Sequence, residues 1–203
     1  MSFLLKLWAD SESPSPANIN NHNTHWKKLW NLRTIPRHKA LLWRIIQQAI
    51  PVISTLAKRG INCNILCPRC LQHEETIDHA FMHCDQVSRV WFGSNLNIRF
   101  NNSHNSFSDW LIYVLQALKE DQLIYLASLT YSIWYARNQQ VFNQKEIKAS
   151  ETISKATSSI QDYYLANTNN IQNQPSNEAR STHRQQHCNS IPNQNRVWHK
   201  PDT

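Results

Sequence analysis

Three cysteines and three histidines fall within eighteen residues, CPRCLQHEETIDHAFMHC, Cys67 to Cys84. Thiolates and imidazoles at this density suit a disulfide, a redox pair or a metal ion. A disulfide fits poorly, because the cysteine count is five and the opening MSFLLKLW runs into ADSESPSP with no cleavage-like site. An odd count without a secretion signal predicts a reducing, intracellular setting, nuclear or cytoplasmic and not secreted. A redox C-x-x-C wants a βαβ context that the pattern does not offer. A metal site remains. Cys67-x-x-Cys70 makes the tight turn in which two thiolates share one ion, and Cys84 adds a third. His73, His79 and His83 are each candidates for the fourth position, and Cys63 is a spare thiol nearby. Three thiolates and an imidazole form a soft, closed donor set that suits zinc and leaves no position for substrate water.

Other chemistries are excluded more directly. Two glycines, Gly60 and Gly93, cannot build a phosphate-cradling loop, so Walker and Rossmann sites are absent. No paired-aspartate polymerase motif, four-carboxylate two-metal set or supported nucleophile-base pair is visible, and the chain is predicted to be no enzyme and to take no small-molecule substrate.

Charge supplies the second signal. Between Ser13 and His73 there is no acidic residue but nine cations, against a net charge of +7 for all 203 residues. A one-sign block suits a polyanion, because each neutralised phosphate releases counterions. Arg37, Arg44, Lys58, Arg59 and Arg69 are the predicted phosphate contacts, with nucleic acid of low sequence specificity as partner. Arg69, inside the cysteine turn, is expected to point outward. Trp91 and Phe92 offer base stacking, although Val87, Val90 and Trp91 at helical spacing read as core. The alternative is a protein-interaction or scaffold piece, or a retroelement fragment without a function.

These groups must be held by helices. Pro36 opens the first predicted helix, with Leu41, Leu42, Ile45, Ile46, Ala49 and Ile50 on one arc, Arg37 and Arg44 opposite, and Pro51 as its end. Ser54 is the predicted cap of a short helix that Gly60 stops, Asp85 caps the helix after the cysteines, and Ser108 the next. A long helix is predicted over Asp121–Phe142, and a weaker one over Lys145–Ala166 with Ile147, Ile153 and Ile160 at near-heptad spacing. The longest apolar run, Leu123 to Ala136, is too short and polar-studded to span a bilayer. The fold class is mainly α: a leader over 1–24, a small helical domain with a structural zinc-knuckle-like unit over 25–100, a helical extension over 106–166, and a disordered Asn/Gln-rich tail over 167–203.

A set of motifs ties these pieces together: Trp26-x-x-x-Trp30, Pro36-Arg37, Leu42-Trp43-Arg44, Leu56 to Gly60, Cys67-x-x-Cys70, Glu75-Thr76, His79, Cys84 and Trp91. This set resembles the zinc-binding domain of plant LINE-type (non-LTR) retrotransposon reverse transcriptases. The resemblance implies His79 as fourth ligand, C-x2-C-x8-H-x4-C, binding one zinc. The stretch Ile133 to Phe142, IWYARNQQVF, is similar to the Trp-x-x-Arg-Asn helix that follows this domain in the same elements. RVWHKPDT is similar to the lead-in to a ribonuclease H domain, which the resemblance implies would begin where the chain ends. Leu71 departs from the pattern, which usually has a small polar residue or glycine there.

Overall fold

The computed structural model describes residues 22–100 and 106–172, with side chains over 25–100 and 106–168. The predicted leader as far as residue 21, the predicted tail beyond residue 172 and the Trp198–Pro201 motif lie outside the described residues.

The architecture is helical: α1 His22–Asn31, α2 Pro36–Ile46, α3 Ile53–Lys58, a π-helical turn His79–His83, α4 Asp85–Gly93, α5 Phe107–Ala117, α6 Glu120–Asn143 and α7 Ala149–Gln172. Among the described residues the sole β pairing is an isolated bridge between Leu66 and Glu74. No helix among them is long and apolar enough to cross a membrane.

Helix α1 precedes the first predicted helix. Its polar approach, NNHNTH, carries no apolar period, and the helix is held instead by packing: Leu29 is fully buried, and the Lys28 ammonium donates to the carbonyls of Gln116 and Leu118 at the end of α5. Lys39 does the same for α1, donating to the Trp30 and Leu32 carbonyls. Both lysines therefore serve as C-terminal caps. Helix α2 starts at Pro36 as predicted and buries Leu41, Leu42 and Ile45, but ends at Ile46, because Gln48 turns left-handed (φ 54°) ahead of Pro51.

The predicted caps shift by a few residues. Ser54 does not cap α3; the free amide of Ile53 donates to the Glu75 carboxylate (2.9 Å), so the cap comes from a distant residue. Gly60, at φ +83°, stops α3 as predicted, where a Cβ would be strained. Cys84 rather than Asp85 occupies the cap position of α4, and Ser106 rather than Ser108 accepts the first amides of α5. The Ser108 hydroxyl donates instead to the Ile45 carbonyl, joining α5 to α2.

One core runs through all of this. Phe81 stacks on Phe107 and Trp134, and Trp91 meets Trp110 edge-on. The cysteine-bearing segment and the helical extension, read from sequence as successive units, thus share their buried side chains. Helix α6 lies in the middle. Eleven of its residues are buried, on nearly every face, so its sequence shows no one-sided apolar stripe. Helix α7 crosses it with Thr152 and Ala156 buried, and runs six residues past the predicted end at Ala166.

Candidate metal centre

Two local structures bring the ligands together. The first is a short hairpin. The Leu71 amide donates to the Cys67 carbonyl (2.9 Å), closing the cysteine turn, and the Cys67 amide donates to the His73 carbonyl (2.7 Å). Leu71 pays for this turn with φ +56°, the left-handed conformation that glycine adopts freely. The Leu71 departure from the motif thus keeps the turn and carries its strain.

The second structure is the π turn. In an α-helix, residues five apart sit about 140° from one another around the axis, so His79 and Cys84 would face different ways. Here the Cys84 amide donates to the His79 carbonyl five residues back (3.0 Å), and the widened turn returns both side chains to one side. Thr76 starts the turn by accepting the His79 amide on its hydroxyl (3.1 Å).

The outcome is a four-residue cluster. One ligand atom from each of Cys67, Cys70, His79 and Cys84 lies within 4.8 Å of the other three. The Cys67 and Cys84 sulfurs are 4.0 Å apart, and Cys70 Sγ is 3.3 Å from His79 Nε2. Tetrahedral zinc with Zn–S of about 2.3 Å requires S···S of about 3.8 Å and slightly less for S···N. The donors fit a zinc-sized ion in both spacing and chemistry.

The electrostatics favour a thiolate at Cys84 and a protonated thiol at Cys67. The Cys67 thiol donates toward Cys84 Sγ, which raises the Cys67 pKa and lowers that of Cys84. The Gln86 and Val87 amides, at the start of α4, also stabilise the Cys84 thiolate, as helix N-termini do. Burial, aided by the neighbouring charge of His73, lowers the His79 pKa and keeps the imidazole neutral, the form that binds metal. Of the competing candidates, His83 is exposed and His73 packs its ring 5.4 Å from that of His79; neither joins the cluster. Cys63 donates to the Ile61 carbonyl and also stands apart.

The predicted phosphate contacts divide. Arg37, Arg44, Lys58 and Arg59 are exposed. Arg69 corrects the expectation: it turns inward, donating to the Ile133 carbonyl of α6, and burial lowers its pKa while the nearby Cys84 and Cys67 sulfurs counter that. A planar guanidinium on a long, flexible stem finds an acceptor on the helix packed beneath the cysteine turn. Its charge lies beside the Cys67 and Cys84 sulfurs, and the side chain is half-buried. Trp91 is fully buried and donates its indole N–H to the Phe81 carbonyl (2.7 Å), so it is core, not a stacking surface.

Sequence reasoning gave Glu75 and Arg137 no role beyond their motifs. The structure joins them as a buried ion pair, Nε to Oε1 at 2.8 Å and Nη2 to Oε2 at 2.5 Å. Each lay in a quoted motif, Glu75-Thr76 and Arg137-Asn138, and the absence of other charges from Leu123 to Ala136 was the available signal.

Residues 11–91 match the family described as zinc-binding in reverse transcriptase, which bears out the resemblance to a reverse-transcriptase zinc-binding domain over that segment. No curated protein and no solved structure matches the chain.

Proposed function

We propose that this protein is a zinc-stabilised nucleic-acid-binding module, descended from a plant LINE-type retrotransposon polyprotein and without catalytic chemistry of its own. The observation that carries the reading is the convergence of Cys67, Cys70, His79 and Cys84 within 4.8 Å, inside the segment that matches a zinc-binding family. Such a donor set is closed and structural. Zinc bound there contributes on the order of 10 kcal/mol of binding energy to folding, because the site does not pre-exist in the unfolded chain. The acid buried among the described residues, Glu75, is committed to Arg137 and the α3 amide, which leaves it no part in acid-base work.

The nucleic-acid part rests on the acid-free block and on the exposure of Arg37, Arg44, Lys58 and Arg59. A second reading, protein docking, draws on Phe142 and Leu165, 75% and 63% exposed on α6 and α7.

Metal content and salt dependence test these readings. Purified protein should carry one zinc, lost in Cys70→Ala and in His79→Ala but kept in His83→Ala. Affinity for nucleic acid should fall as salt rises, with a log-log slope of about −0.7 to −0.9 per phosphate neutralised. Substituting Arg37, Arg44, Lys58 and Arg59 together by Gln should remove most affinity and leave zinc in place. Salt-insensitive capture of a protein with no nucleic-acid binding would favour docking instead.

A further inference from the structure

Two tryptophans face solvent inside the acid-free block: Trp30, 46% exposed, and Trp43, 40% exposed. The other described tryptophans are buried or half-buried. Lys39 connects the two helices that carry these indoles. The Lys39 ammonium sits 2.8 Å from the Trp30 carbonyl, and Trp43 follows Lys39 by four residues on α2, one turn along the same face. Arg37 and Arg44, seven residues apart, line the adjacent face of α2, about 100° round the axis. Lys27 lies one turn before Trp30 on α1. Lys28 and Lys39 are spent as caps, whereas Lys27, Arg37 and Arg44 are exposed.

We infer that Trp30 and Trp43 form a base-stacking platform for single-stranded nucleic acid, with Lys27, Arg37 and Arg44 contacting its phosphates. The inference rests on the nucleic-acid reading above and adds the form of the ligand. Unpaired bases expose their π faces, which a duplex keeps in its stack, and stacking on an indole accepts any base. The charge matches: residues 13–73 contain no carboxylate to repel a polyanion. Other aromatics serve less well. Trp91 is enclosed, and the ring of Phe92 is covered by the Arg99 guanidinium, 4.1 Å from its centroid.

The test compares an oligothymidylate, an oligouridylate and a duplex of equal phosphate count, by fluorescence anisotropy of labelled strands with zinc-loaded full-length protein. Single strands of either sugar should bind more tightly than the duplex. Trp30→Leu and Trp43→Leu should each weaken single-strand binding about tenfold. Duplex binding should hold, and the Trp→Phe variants should retain most of the single-strand affinity. Duplex affinity and the thermal unfolding transition control for folding; should Trp43→Leu melt the protein, Trp30→Leu, at a helix end, decides. Leu variants that bind single strands like wild type, or polyglutamate binding as tight as oligothymidylate binding, would overturn the platform. If wild type binds duplex but the tryptophans are silent, the nucleic-acid reading survives without it. Binding to no nucleic acid at all overturns both.

Discussion

Arg137 on α6 reaches the Glu75 carboxylate across 62 residues of sequence, and both side chains are almost wholly shielded from solvent. The same carboxylate accepts the free Ile53 amide at the start of α3. One acid thus joins the segment between the cysteine turn and the π turn to two helices. Arg69 makes a parallel link from inside the cysteine turn to Ile133, one turn before Arg137. The metal-binding segment is therefore fastened to α6 at two points, although α6 lies outside the residues that match the zinc-binding family.

Removing one partner of this pair is expected to be costly. Arg137→Leu leaves a carboxylate in the core without its counter-charge, a change worth about 3–5 kcal/mol in comparable buried pairs. Urea unfolding of the zinc-loaded protein should show a loss of that size. The double variant Glu75→Leu with Arg137→Leu should lose less than the sum of the single changes, because no orphan charge remains. A loss below about 0.5 kcal/mol in Arg137→Leu, the range of ordinary surface substitutions, would mean that the pair contributes little.

The three cysteines of the cluster were legible because thiols carry their chemistry in type and spacing, His79 was singled out by the motif set alone, and the helices that bury one face were legible from periodicity. What sequence hid was long-range. Residue Arg69 looked exposed because neighbours in sequence say nothing of a helix packed from 64 residues away. At the start of α3, Ser54 offers the local hydroxyl that usually accepts a free amide, but the actual acceptor is the distant Glu75. Helix α1 shows no pattern in sequence, because one buried leucine and a lysine cap hold it. Likewise the packing of the cysteine-bearing segment on the helical extension is long-range, as at Phe81, whose ring stacks on Phe107 and Trp134.

Thr76 is expected to tune metal binding without touching the metal. Its hydroxyl fixes the first amide of the π turn that carries His79. Thr76→Val keeps the shape and removes the acceptor, so His79 loses its orientation. Competition with a chromophoric chelator should show zinc affinity about 10-fold weaker, the low end of outer-sphere effects. Thr76→Ser should restore it. Unchanged affinity in Thr76→Val would confine Thr76 to packing.

Leu71 offers the opposite sign. It is held at φ +56° and is 67% exposed, so it carries strain and buries little. Leu71→Gly should stabilise the zinc-loaded protein by about 1 kcal/mol, less the entropy that glycine gains in the unfolded chain. Thermal unfolding would read this as a rise in Tm. A fall in Tm would mean that the leucine side chain makes a contact worth more than its strain.

His38 sets a pH dependence apart from the metal site. It is 1% exposed on α2, its ring lies 4.6 Å from that of Tyr131, and neither ring nitrogen has a hydrogen-bond partner. Burial, and next the charge of Arg37, push its pKa down from 6.5 to about 4. Between those values the unfolded chain takes up a proton that the folded chain refuses. The stability tied to neutral His38 is therefore complete above pH 6.5 and drains away as pH falls toward about 4. Acid also protonates the metal ligands, so the measurement is a difference: urea midpoints of wild type and His38→Phe, which keeps the aromatic contact with Tyr131, at each pH across the window. The variant should lose less stability than wild type between pH 6.5 and about 4, and the difference between the two should be constant above pH 6.5. Parallel profiles would mean that the imidazole finds a partner on protonation, and that the acid sensitivity belongs to the metal centre alone.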